Sequence, residues 1–322
     1  MADALTSSKW GILSGTGAYF MWGLLPIYWK WLDYIPSEEV LAHRIIWSLL
    51  FMGFLLTIIG KGPSFLSECK LLVKQPKLLV AMICASLLIT CNWFTYIWAV
   101  AYDHVVEASL GYYINPLISV LLGVLFLKER LLKLQWAAVC MAAAAVMMLT
   151  LMVGAFPYIA ISLAISFGLY GLIKKTVQTG ALSSVAIESL LTAPIAVSFL
   201  LARYGLSSQM FYFNDGISFW LLAGTGVASA TPLLLFAAGA KRIPLSMIGF
   251  LQYIAPTMML LLGIFVYKET FTTVHFTAYS FIWVALLLFA FSQWHSKRRK
   301  AKKHLPPVTA TAPTALSEAG SR

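Results

Sequence analysis

The side chains in this sequence that can do chemistry are few, and they interrupt apolar runs. Arg44 follows His43 in "EEVLAHRIIWSLLF", roughly 9 Å along a helix from Glu38. Glu107, Gly111 and Asn115 recur every fourth residue in "VEASLGYYINPL", so a helix carries them on one face with a drift of about 40° per step. Glu188 interrupts "SSVAIESLLTAPIAV". A charge at the bilayer centre costs about 2.5–3.5 kcal/mol on insertion scales, so each of these groups calls for a partner or a function. Arg44 and Glu107 reach similar depth if their helices start at the same face. They then form a structural ion pair or an outer gate, and Arg44 alone offers an anion-binding charge. His43 adds pH dependence if it titrates there, or packs through a hydrogen bond. Glu188 lies toward the opposite face, as do Lys174, Lys175, Lys241 and Arg242. Two acid–base clusters at opposite faces read as paired gates or as ordinary interfacial salt bridges.

The neutral polar groups follow a similar logic. Pro116 removes a helix hydrogen bond and frees a carbonyl beside Asn115, giving a polar spot in an apolar run. Gln252 and Tyr253 stand ahead of Pro256 in the same way. A substrate contact and a kinked packing helix are the two readings. Trp22, Trp93 and Tyr112 lie deep enough to wall an apolar or aromatic solute, or to pack between helices. Gly11, Gly15, Tyr19 and Gly23 form a stripe of mostly small residues suited to close helix contact. Chemistry of other kinds finds no motif: there is no P-loop, nucleotide fingerprint, metal-spaced histidine pair or GxSxG. Cys69, Cys84, Cys91 and Cys140 have no metal or redox spacing. The sequence therefore predicts no enzyme, metal or cofactor. Any transport would be gradient-driven or facilitative, with protons as the coupling ion its buried carboxylates and histidines allow.

The elements that must position these groups are membrane helices. The chain of 322 residues is 60% hydrophobic and 11% charged, against about 25% charged in soluble domains, and its mean hydropathy is +0.83. A spanning helix needs about 20 apolar residues. Ten stretches qualify: 11–32, 38–60, 78–102, 105–127, 134–153, 157–174, 184–203, 217–239, 245–267 and 272–293. They are too long and continuous for barrel strands. The first is too long and too aromatic for a cleaved signal peptide. Trp29, Trp31 and Trp294 fall at stretch ends, as an interfacial belt requires. Residues 1–10 form a short leading segment. Residues 294–322 form a basic run, "KRRKAKK", followed by a Pro-, Ala- and Thr-rich tail of disordered composition.

With the amino terminus in the cytoplasm, the inner loops hold Lys61, Lys70, Lys74, Lys77, Lys128, Arg130, Lys133 and the 297–303 run, among others. The outer loops hold only Lys30, Arg203 and Lys268. The positive-inside rule thus predicts both termini in the cytoplasm. It accounts for the net charge of +11 without nucleic acid, and anionic headgroups suit the basic run.

The fourth and ninth stretches repeat each other. At an offset of 140, Tyr113, Ile114, Pro116, Leu121, Leu122, Gly123, Lys128 and Glu129 match Tyr253, Ile254, Pro256, Leu261, Leu262, Gly263, Lys268 and Glu269. Each half then holds five spans. An odd number inverts the second half relative to the first, as in many secondary transporters, whose solute sites lie where the repeats meet. The expected fold is an all-α membrane protein of ten helices in two inverted five-helix repeats, 11–153 and 157–293.

"GAYFMWGLLPIYWK", "EEVLAHRIIW", "CNWFTYIWAV", "VEASLGYYINPL", "ISFGLYGLIKK", "GFLQYIAPT" and "FIWVAL" together resemble the EamA family of the drug/metabolite transporter superfamily, in order, from residue 10 to about 293. The resemblance implies a bacterial inner-membrane permease for a small metabolite or drug, acting as an exporter by alternating access. It implies that spans one to four and six to nine line a central cavity. By analogy Trp22, His43, Arg44, Asn92, Trp93, Glu107, Tyr112 and Asn115 are cavity or gate residues. A non-transporting scaffold or receptor and a facilitative channel are the alternatives.

Overall fold

The computed structural model describes residues 2–127, 131–153, 155–174, 180–207, 212, 215–240, 242 and 251–303. Lys128, Glu129, Lys175, Lys241 and the tail beyond 303 lie outside these, and so does any test of the readings that rest on them. Among the described residues there are eleven helices and no strand: α1 (Ala2–Lys30), α2 (Ser37–Ile58), α3 (Gly62–Lys74), α4 (Pro76–Ala101), α5 (Val105–Leu127), α6 (Lys133–Val153), α7 (Tyr158–Lys174), α8 (Ala181–Tyr204), α9 (Gly216–Ala240), α10 (Ile254–Leu261) and α11 (Thr273–Lys303). Seven are long and apolar enough to cross a membrane: α2, α4, α5, α6, α8, α9 and α11. The described parts of α7 and of α10 with its π-helical extension are apolar but shorter.

Local chemistry sets the ends. Proline occupies the N-cap of α2 (Pro36) and the first turns of α3 and α4, where a missing N–H leaves no bond unmade. Gly205, at φ 61°, ends α8 in the left-handed region open to glycine. The helix α3 was not expected. Its run GPSFLSECKLLVK is too short and polar to span, yet its apolar side packs: Leu72 joins Met82 and Ile187, with Phe65 and Cys69 against them.

The matched prolines sit differently. Pro116 lies within α5, but Pro256 falls in the first turn of α10, just after a turn at Gln252 and Tyr253. There its missing N–H costs little. Pro26, Pro194 and Pro232 also lie inside helices. Proline within a helix is therefore no special mark of the fourth and ninth stretches. A π-helical turn, Leu262–Val266, continues α10, and a Cβ on Gly263 would come 2.7 Å from Val106.

The helices pack α1 on α9 and α10, α2 on α8 and α9, α4 on α7 and α8, α5 on α7 and α10, and α6 on α11. The glycine stripe of α1 works as expected. A Cβ on Gly23 would lie 2.7 Å from Met258, and one on Gly239 would lie 2.9 Å from Gly15 and 3.0 Å from Gly11.

Candidate functional site

The helix order gives the bundle two ends. At one, α1, α4, α6, α8 and α10 finish, and α2, α5, α7, α9 and α11 begin; Lys30 marks it. At the other, α8 begins beside α3.

Arg44 lies on α2, about four turns short of that helix's α3 end. It is 8% exposed. Its Nε donates to Ser229 Oγ of α9 at 2.7 Å. Its guanidinium carbon sits 3.7 Å from the Trp93 ring centre and 5.8 Å from that of Trp29. Tyr96 and Tyr112 lie within its electrostatic reach and meet edge to face at 5.8 Å. Trp93 and Tyr96 come from α4, Tyr112 from α5 and Trp29 from α1. Four helices thus converge on one cation, and aromatic faces attract such a charge when it is desolvated. Among the described residues no carboxylate lies within ion-pair distance of Arg44.

The expected Arg44–Glu107 pair is not made. Glu107 accepts the N–H of Ile159 at 3.0 Å, and His104 Nδ1 is 4.0 Å away. Its carboxylate thus covers the amino terminus of α7, where free N–H groups favour an anion. Glu269 does the same for α5, accepting from Val105 and Val106 at 2.7 and 2.8 Å. Burial raises the Glu269 carboxyl above the ordinary carboxylate range, and those two N–H groups oppose the rise.

Two buried carboxylates hold the two ends. At the Lys30 end, Glu39 is fully buried. Arg203 Nε stands 2.7 Å from it, and the hydroxyls of Tyr204 and Tyr212 each donate at 2.7 Å. The buried His43 ring packs 6.1 Å from Tyr212. At the other end Glu188, 2% exposed, receives Lys174 Nζ and Tyr170 at 3.0 Å and Ser184 at 2.9 Å. Glu68 adds a clasp there, accepting from Gly180 and Ser183 at 3.1 and 3.0 Å.

The remaining sequence candidates disperse. Asn92 donates to Leu163 O at 2.9 Å and to Ser166 at 3.0 Å, tying α4 to α7. Trp22 packs with Tyr19 and Phe236 away from Arg44. Asn115 is half-buried, and its Oδ1 has no hydrogen-bond partner among the described residues. Gln252 neighbours Tyr253, which stacks on Tyr113 at 6.3 Å. Tyr113 in turn bonds Thr257 at 2.6 Å.

Sequence reasoning missed Glu39, Ser229, Tyr96 and Arg203's partnership. Glu39 follows Glu38 at a span start, where a carboxylate looks interfacial. Ser229 is one small hydroxyl in "GVASATP". A groove of about 920 Å³, lined by Tyr28, Asp215, Trp220 and Leu221, and an apolar one of about 430 Å³ between α5 and α6 both leave Arg44 out.

The model of the EamA-like transporter family matches residues 9–151. The chain is 47% identical to "Uncharacterized transporter YojE" of Bacillus subtilis (strain 168), covering 92% of this chain and 98% of that one. It is 38% identical to "Protein RarD" of Escherichia coli (strain K12), with the same coverage. It is 29% identical to "Chloramphenicol-sensitive protein RarD" of Pseudomonas aeruginosa, over 91% and 97%. A crystal structure of a protein 19% identical superimposes with a TM-score of 0.56, over 88% of this chain and 97% of that one. That likeness is one of fold.

Proposed function

The chain belongs to the EamA-like transporter family, and from that premise we propose that it is a secondary transporter moving a small metabolite or drug-like solute by alternating access. The observation that carries the proposal is the packing pattern. Let α1, α2, α4, α5 and α6 be exchanged with α7, α8, α9, α10 and α11. The contacts α1–α9 and α4–α7 then swap, as do α2–α9 with α4–α8 and α5–α7 with α1–α10, while α2–α8, α5–α10 and α6–α11 map onto themselves. Tyr113 and Tyr253, matched in the repeat, stack on each other, as residues on a pseudo-twofold axis must. This supports ten spans in two inverted five-helix halves, 11–153 and 157–293, an architecture suited to exchanging two half-shapes.

In this reading the Glu39 cluster is the outer latch and the Glu188 cluster the inner one, with Arg44 between them. Each opening breaks one latch while the other stays shut. The charge distribution supports both termini in the cytoplasm of a bacterium, with the protein in the inner membrane. Export and proton coupling are part of the proposal, the first through the resemblance and the second through the buried carboxylates. A relative named for chloramphenicol sensitivity makes that compound one solute to try. The test is flux and counterflow in proteoliposomes of the full chain, with and without a pH gradient. Saturable uptake accelerated by solute on the far side is expected. Flux linear in concentration without counterflow indicates a channel, and no flux for any solute indicates a scaffold or receptor; either overturns the proposal.

A further inference from the structure

We infer that the Arg44 centre takes an organic carboxylate: a solute with one negative charge and an apolar or aromatic body. The inference rests on the proposed function in taking this centre as the solute site, and it adds the chemical class. Three observations carry it. First, the cation is buried and has no countercharge among the described residues. Only Nε has a partner, Ser229; no acceptor for the four Nη hydrogens occurs among the described residues. Buried charges are ordinarily paired. This protein obeys that rule at Glu39 and Glu188, so the exception at Arg44 stands out against its own background.

Second, the surroundings are rich in donors. Trp29 Nε1 and the Tyr96 hydroxyl are buried without a hydrogen-bond partner among the described residues, and so is the hydroxyl of Tyr267, which lies within electrostatic reach of Tyr96. Indole N–H only donates and guanidinium only donates. A centre of idle donors around a cation fits an oxygen-rich anion, and the guanidinium fork matches a carboxylate in particular. It rejects an amine. A dianion such as phosphate would leave one charge uncompensated in a buried place.

Third, the walls are aromatic. The Trp93 ring centre lies 3.7 Å from the guanidinium carbon, with Trp29, Tyr96 and Tyr112 around it. Such rings offer an apolar body a contact surface and fix its orientation. The centre is enclosed in this conformation, so the solute enters when one latch opens.

The test uses the purified full chain in detergent and a matched series of probes: sodium benzoate, phenylacetate and 3-phenylpropionate against benzamide, phenylacetamide and benzylamine. Sodium chloride and phosphate at equal ionic strength control for inorganic anions. Thermal unfolding followed by tryptophan fluorescence reads binding. At least one carboxylate is expected to raise the Tm saturably while its amide and the amine do not, and Arg44→Gln should weaken that binding by roughly 30-fold or more. If the variant does not fold, the wild-type series decides alone. Equal protection by amides, by the amine or by inorganic anions overturns the inference, and so does protection by none of the carboxylates. The same compounds, radiolabelled, are then assayed for counterflow. Carboxylate binding without flux upholds the inference and defeats the transporter reading. Counterflow of the amides without carboxylate binding does the reverse.

Discussion

Glu188 and Arg44 are both charges removed from water on two helices that pack together, α8 and α2, yet their surroundings are opposite. Glu188 collects an ammonium and two hydroxyls within 3.0 Å. Glu39 does likewise with a guanidinium and two phenols. Arg44 has one serine and a set of aromatic faces. A saturated buried charge resists the removal of any partner, because what remains is stranded. An unsaturated one has no charged partner among the described residues to strand. The contrast separates groups that hold a conformation from a group that awaits something from outside, and mutations test it by direction as well as by size.

The largest effect is expected at the saturated end. Lys174→Met leaves Glu188 buried with hydroxyls alone, and breaking such a pair costs about 3–5 kcal/mol. Thermal unfolding of the purified protein should show a drop of many degrees. Glu188→Gln in the same background should recover most of it, since the stranded charge is gone. A small loss, or no recovery, would place Glu188 with Arg44 and erase the distinction. Next comes Arg203→Gln. Arg203 is 43% exposed and the two tyrosines still serve Glu39, so the loss should be clearly smaller than that of Lys174→Met, since solvent screens an exposed cation. A loss equal to that of Lys174→Met would mean that the two latches are matched in strength. Glu269→Ala tests the helix-end carboxylates, whose hydrogen bonds come from backbone N–H groups. Capping losses run about 0.5–2 kcal/mol, and hydrogen exchange at Val105 and Val106 should rise more than elsewhere in α5.

The helices were legible because apolar runs of spanning length are a one-dimensional signal. The expected 105–127 and 134–153 fall close to α5 and α6. The glycine stripe of α1 was legible for a similar reason, since small residues at helical spacing define a face before any partner is known. The Glu188–Lys174 contact was partly legible, because both residues fall near the same end of the bundle. What failed was rotation about the helix axis. Depth along α2 and α5 put Arg44 level with Glu107, but depth says nothing of which way each side chain points, and Glu107 turns to α7. Glu39 failed through its neighbour: two adjacent glutamates differ by about 100° around a helix, enough to expose Glu38 and bury Glu39. The α3 helix failed because short amphipathic runs look like loop in a search tuned to spans.

The smallest expected change in stability is also the one that most sharpens the comparison. Arg44→Gln removes a charge-assisted bond to Ser229, worth about 1.5–3 kcal/mol, and cation–π contacts worth about 2 kcal/mol when desolvated. Against this it relieves the burial of an uncompensated cation, which costs several kcal/mol. The terms nearly cancel, and no carboxylate is stranded, so stability should change by about 1 kcal/mol or less in either direction. Counterflow should nevertheless vanish, while Lys174→Met rescued by Glu188→Gln should retain part of it. A fall in Tm as large as that of Lys174→Met would show that Arg44 has a charged protein partner after all, and that it holds the fold together as Glu188 does.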